Sequence, residues 1–257
     1  MSDSMTILLA ASLTIIGAAT PLLFAALGEL ITERSGVLNL GVEGMMLIGA
    51  VSAFAGALIT GNTYIGVLCG AFAGMLMALL HGYLTLTLMT NQVATGLSIT
   101  IFGVGLSALI GLEFVGVTVE PLSNLPVPLL SEIPFFGTLL FDHNLLVYLS
   151  VALVFGLSFF IFKTRGGLIL RAVGDSPESS HALGYPVIKI RYMALMFGGL
   201  MAGLGGAYLS LIYTPMWSEN MTAGRGWVAL ALVVFATWKP WRVLLGAYMF
   251  GGVTILQ

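Results

Sequence analysis

The sequence predicts an all-α fold, a polytopic transmembrane bundle of about seven or eight apolar segments, some short or re-entrant, each near the ~20 residues a spanning helix needs. Three observations lead there. Hydrophobic residues make up 58% of the 257 residues and charged residues only 8%, against about 25% charged in a soluble domain. Mean hydropathy is +1.05. The apolar residues gather in long runs separated by short polar breaks, and 9 Lys+Arg with 11 Asp+Glu leave too little polar surface to cover a globule. Lipid must cover most of it.

In chain order the runs are 5–27, 41–60, 64–81, 91–112, 143–162, 192–213, 226–238 and 241–257. The N-terminus, Met1-Ser2-Asp3-Ser4-Met5, has no basic residue before the first run and no evident cleavage site after it, so this run reads as a retained span. The seventh run is short. Trp227 to Trp238 would rise only about 18 Å before Lys239-Pro240 breaks it, which suggests a half-helix or re-entrant piece enclosed by protein. The last run stops within apolar sequence, so the single transmembrane domain 1–257 reads as C-terminally incomplete.

Basic residues orient the bundle. Lys163, Arg165, Arg171, Lys189 and Arg191 share the linker 163–191, whereas 113–142 carries Glu113, Glu120, Glu132 and Asp142 and no basic residue. The first linker is therefore expected inside and the second outside. Counting back five crossings puts the N-terminus outside, and Lys239 and Arg242 fit the inside.

Gly66, Gly70 and Gly74, and again Gly199 and Gly203, recur every four residues. They share a helix face on which a neighbouring backbone can come close. Cys69 is alone, so no disulfide forms within the chain. His81, His143 and His181 are scattered and no metal site is expected. A net charge of -2 argues against nucleic acid.

Four polar blocks interrupt the apolar pattern. The first, residues 28–50, places Glu29, Glu33, Arg34 and Glu43 between two apolar runs. Charge in hydrocarbon costs at least about 2.5–3.5 kcal/mol per residue. Glu29, Glu33 and Arg34 could form a solvated loop face. Glu43, between two glycines at a helix mouth, reads either as an interfacial helix start or as a residue lining or gating a path, with Asn39 beside it. In the second block Ser176 can cap a short helix near 177–183, with Pro177 and Glu178 in its first turn and Gly184 as its stop. In the third, Asn91 and Gln92 offer amides to a polyhydroxylated solute, or polar capping at the membrane surface. In the fourth, Arg225 opens a short helix against its dipole and could meet a carbonyl or Glu219. Trp217 and Trp227 read as interfacial belt residues, with stacking on a nucleobase as the sharper alternative.

Together these blocks resemble a known family. The run from Gly28 to Ala50, GELITERSGVLNLGVEGMMLIGA, is similar to the opening signature of permeases of the nucleoside and simple-sugar ABC importers, within the superfamily of ribose and branched-chain amino acid permeases. NQVATGL at 91–97 and GRGWVALA at 224–231, running on to Trp238-Lys239-Pro240-Trp241, resemble further segments of it. Glu178 to Gly184 has the spacing of the EAA---G coupling motif, with Ser179 and Ser180 where alanines are usual. The resemblance implies a prokaryotic inner-membrane permease that moves nucleosides or simple sugars, paired with a second related permease and fed by an extracytoplasmic solute-binding protein. It implies ATP and Mg in a separate ATPase that grips Gly174, Asp175, Pro177, Glu178, Ser179, Ser180 and Gly184, and no cofactor in this chain. It makes Asn39, Glu43, Asn91, Gln92, Trp217, Arg225 and Trp227 candidates for the substrate path. No GxxxxGK[ST] loop is present, since Lys163, Lys189 and Lys239 do not follow glycine. The alternative is an ion-coupled secondary transporter, which would need carboxylates within the spans. The sequence places none at mid-span. No Ser/His pair or aspartate pair suggests an enzyme.

Overall fold

A computed structural model describes residues 3–256 except 127, 129, 130, 132, 134 and 135, so Glu132 of the acidic linker lies outside the described residues. The chain forms helices α1 Asp3–Arg34, α2 Val42–Thr60, α3 Thr63–Gly82, α4 Gln92–Gly111, α5 Phe136–Phe141, α6 Leu145–Lys163, α7 Arg165–Asp175, α8 Pro177–Ala182, α9 Val187–Tyr208, α10 Arg225–Phe235 and α11 Pro240–Leu256. Wider turns at Tyr83–Thr87 and Leu209–Tyr213 extend α3 and α9. The short strands Asn124–Pro126 and Asp142–Asn144 pair antiparallel and tie the outer linker together. Among the described residues six helices are long and apolar enough to cross a membrane: Met5–Arg34, Val42–Thr60, Thr63–Thr87, Gln92–Phe114, Leu145–Lys163 and Val187–Tyr213.

Contacts sort the chain ends into two levels. At one, Arg191 Nε donates to the Ser35 carbonyl at 3.1 Å, the Thr87 and Tyr192 hydroxyls meet at 2.6 Å, and the Trp238 indole N–H donates to Glu33. At the other, the Thr63 hydroxyl donates to the Glu120 carbonyl at 3.1 Å, and Val115 and Thr118 pair with Trp217 and Met216. α1 ends at the level of the basic linker, the inner one on the expectation from charge, so its N-terminal half points to the other, outer level. Residues 214–224 turn back from the outer level as non-helical chain, and α10 completes the crossing as a half-helix.

α9 packs centrally against α1, α2 and α3, and small residues line the contacts among these four helices. A Cβ at Gly70 would lie 2.7 Å from the Gly49 carbonyl, one at Gly66 2.6 Å from the Ala53 carbonyl, and one at Gly28 2.8 Å from the Gly198 carbonyl. Gly74 faces the Gly199 carbonyl and Gly203 the Gly70 carbonyl closer still. Lipid tails are as apolar as leucine, so close backbone packing replaces the hydrophobic drive between these helices.

Three expectations need correction. The first span does not end near residue 27. α1 continues through Gly28 because that glycine admits α9, so Glu29 and Glu33 are helical, and Glu29 is 1% exposed rather than on a solvated loop. A carboxylate therefore does lie within a span. The inner linker holds two helices, because α7 forms before α8 despite Gly166-Gly167. Gly167 packs directly on the Phe160 carbonyl, where no side chain fits. Trp217 is 3% exposed and enclosed against Gly111, so its ring is packed in protein rather than presented as a belt residue.

Replacing Gly70 by Leu should lower the thermal midpoint of the purified protein by at least the ~1–3 kcal/mol typical of overpacking. Gly105→Leu, where nothing lies within 4 Å of a Cβ, should leave it nearly unchanged.

Candidate functional site

Glu43 lies in the first turn of α2 and is 4% exposed. Its depth is fixed by its neighbour: a Cβ at Gly44 would lie 2.6 Å from the Ile99 carbonyl, and one at Gly103 2.5 Å from the Gly44 Cα, both midway along α4. A bare charge at that level would be costly. Here the carboxylate is fully engaged. Oε1 accepts from the Thr222 hydroxyl and from the Gly224 N–H at 2.8 Å. Oε2 accepts from the Gly226 N–H at 2.6 Å.

These donors belong to the start of α10. A helix leaves its first N–H groups without partners and carries partial positive charge there. α10 has Gly224 at its N-cap, with no capping side chain of its own, so Glu43 caps it from another helix. The approach is bent enough to need left-handed backbone at Ala223 (φ 47°) and Gly224 (φ 83°). Gly226 must be glycine, because a Cβ there would lie 2.6 Å from the Glu43 backbone. Arg225 turns back, donating to the Met221 and Thr222 carbonyls at 3.1 and 3.2 Å, with its guanidinium 5.6 Å from the centre of the Tyr213 ring. Of the two partners the sequence allowed, the carbonyl is the one observed. Beside it lies a cavity of about 230 Å³ between α1, α10 and α11, lined by Ala18, Leu22, Ala223, Arg225, Val228, Phe250 and Thr254. Trp227 is partly exposed on the same turn.

Between α1 and α2 the chain is unwound from Ser35 to Gly41, deep enough that its backbone must be satisfied by protein. The Leu38 N–H donates to Gln92 Oε1 at 2.8 Å, and the Asn39 N–H to Glu29 Oε1 at 3.2 Å. The Gly41 N–H donates to Asn39 Oδ1 at 3.0 Å, and the Thr100 hydroxyl to the Leu40 carbonyl at 2.9 Å. Asn39, Gln92 and Glu43 thus share one seam between α1, α2 and α4. Asn91 caps α4, accepting from Val93 and Ala94. Trp217 lies apart, at the outer end. Glu29 and Thr222 are partners that sequence reasoning missed. The small-residue pattern Thr222-x-Gly-x-Gly before a short apolar helix was the available signal for Thr222.

The inner end carries a second site. Ser176 caps α8 by accepting from the Ser179 N–H at 3.4 Å, and Pro177 occupies its first turn. Gly184 closes it in left-handed conformation, φ 85°, with its N–H on the His181 carbonyl at 2.9 Å. Glu178 and Ser179 face solvent, Leu183 is 76% exposed and Ser180 is buried. Gly174, at the end of α7, fits against the Arg34 carbonyl and the Gly36 backbone. α7 therefore bears directly on the turn that opens the unwound segment leading to Glu43.

Residues 11–257 match the family model described as the permease component of the branched-chain amino acid transport system. The chain is 44% identical over 244 residues to a provisionally named glucose ABC transporter permease of Haloferax volcanii, covering 93% of this chain and 74% of that one. It is 33% identical over 245 residues to a guanosine ABC transporter permease of Bacillus subtilis, covering 91% and 77%. To a nucleoside ABC transporter permease of Lactococcus lactis it is 31% identical over 249 residues, covering 92% and 78%. Each of these organisms has a second permease that matches more weakly, at 26% or 24% identity. No solved structure matches the chain.

Glu43→Ala should strip the cap from α10. At about 1.5–3 kcal/mol for each charged hydrogen bond lost, the thermal midpoint should fall clearly. Glu43→Gln should fall less, because its carbonyl oxygen still accepts while its NH₂ faces an N–H donor. Equal midpoints for all three proteins would remove the cap from the account.

Proposed function

The chain belongs to the branched-chain amino acid transport system permease family, and from that membership we propose how it works as the membrane-spanning permease subunit of an ABC importer for nucleosides or simple sugars. It is a multi-pass protein of the plasma membrane and a transport component rather than an enzyme. A solute-binding protein delivers solute on the outer side, and solute passes between this chain and a second, related permease. The paired permeases of the relatives' organisms support that pairing. ATP and Mg act in a separate ATPase, consistent with the ABC transporter names of the relatives.

Two roles divide the candidate residues. Arg225 and Trp227, beside the cavity at the start of α10, line the path. Asn39, Asn91, Gln92 and Trp217 shape it, since their polar atoms or faces are taken up by capping, by the unwound segment and by packing on Gly111. Glu43 holds the re-entrant segment at the boundary of the path. Asp175, Pro177, Glu178, Ser179, Ser180 and Gly184 form the foot that the ATPase grips, with Gly174 as its bearing. Motion of the foot reaches α10 through chain and hydrogen bonds: α7 presses on Arg34 and Gly36, and seven residues after Gly36 comes Glu43 with its hold on Gly224 and Gly226. The observation that carries the coupling reading is the capped, solvent-facing α8 following directly on α7, which Gly174 seats on the end of α1.

Gly184→Pro tests it, because proline cannot adopt φ 85°. Transport-stimulated ATP hydrolysis by the assembled transporter should fall about tenfold or more, an apparent loss of at least ~1.4 kcal/mol, while the membrane-spanning helices stay folded. Retained ATPase binding and stimulation would remove the foot from α8. Competition among nucleosides and sugars for uptake in the assembled transporter then names the solute.

A further inference from the structure

A second, more apolar concavity lies away from the transport site. It has a volume of about 680 Å³ and opens between α6, α7 and α9 at the inner end, lined by Leu157, Phe160, Gly166, Ile190, Met193 and Phe197 among others. From Pro186 to Phe197 its α9 wall rises about 16 Å at 1.5 Å per residue. That is close to half of a ~30 Å hydrocarbon core. The trough therefore spans one leaflet, whereas a partner's transmembrane helix would need a groove across both.

Basic residues stand close in sequence to its lining residues on α6, α7 and α9. Lys163 ends α6, Arg165 opens α7 and Lys189 lies in the first turn of α9. All three are exposed, and none makes an ion pair or side-chain hydrogen bond among the described residues. The linker's acids, Asp175 and Glu178, lie at the far end of α7 and on α8. Unpaired cations above a leaflet-deep apolar trough match one chemistry, an anionic headgroup with an acyl chain below it. We propose that this groove is a binding site for an anionic phospholipid of the inner leaflet, with its acyl chain along α9 and its phosphate among Lys163, Arg165 and Lys189. Tyr185 and Pro186, which close the groove at its mouth, follow directly on the α8 foot, so the bound lipid buttresses the link between foot and α9.

Native mass spectrometry of the purified protein, loaded from mixed phosphatidylglycerol and phosphatidylcholine micelles, reads the site. The wild type should retain phosphatidylglycerol preferentially. Met193→Trp, at a largely exposed position that can fill the trough without disturbing the core, should abolish retention. Arg165→Gln with Lys189→Gln should keep lipid bound but reduce the preference about tenfold or more, at ~1 kcal/mol per basic residue. Undiminished retention by Met193→Trp would overturn the proposal, as would an unchanged preference in the double variant. So would a photo-crosslinker at Ile190 that captures polypeptide and not lipid in membranes.

Discussion

A carboxylate buried among membrane-spanning helices has to be neutralised or bonded, and Glu43 is bonded. Glu43 is 4% exposed, and the start of a short helix has N–H groups that need acceptors. Each deficit answers the other. α10 can begin inside the membrane, without a full-length helix before it, because α2 supplies the missing cap. Gly224, Gly226 and Thr222 in turn present three donors to the Glu43 carboxylate. Remove that exchange and the non-helical path of residues 214–224 has no anchor at its inner end.

The same rule governs the unwound segment between α1 and α2. Its backbone groups are taken up one by one by Gln92, Glu29, Asn39 and Thr100, side chains drawn from α1, α4 and the segment itself. The permease thus contains two stretches of irregular backbone within its spans, and both end on Glu43. Around them the glycines of α2, α3, α4 and α9 bring backbones close enough for dispersion to hold the bundle. The rigid part is built from small residues and the adaptable part from polar ones.

Much of this was legible in the sequence, and the gaps have physical causes. Hydropathy located eight apolar segments because each must face lipid or another helix, and the brevity of 227–238 revealed the half-helix. Ser176, Pro177 and Gly184 marked α8 because caps and left-handed turns restrict residue type strongly. The apolar run ends at residue 27 because Glu29, Glu33 and Arg34 follow it, whereas the helix continues because Gly28 packs on Gly198. Glu29 looked solvated because a charge in a polar run usually is, and its acceptor role toward Asn39 depends on a tertiary contact. α7 was missed because two glycines near its start lower helix propensity, and only packing on α6 explains Gly167. The pairing of Glu43 with Thr222 and Gly226 spans some 180 residues, beyond the reach of any local pattern.

The account joins a cytoplasmic foot to a clasp within the membrane, and amide hydrogen exchange observes that clasp directly. In the complete transporter, reconstituted with its ATPase, the Gly224 and Gly226 amides should be strongly protected without nucleotide, because Glu43 holds both. On ATP binding their exchange should quicken by about tenfold or more, a loosening of at least ~1.4 kcal/mol, while amides in the middle of α9 stay protected. Equal protection at Gly224 and Gly226 with and without nucleotide, in a transporter that still moves solute, would contradict the link between foot and clasp.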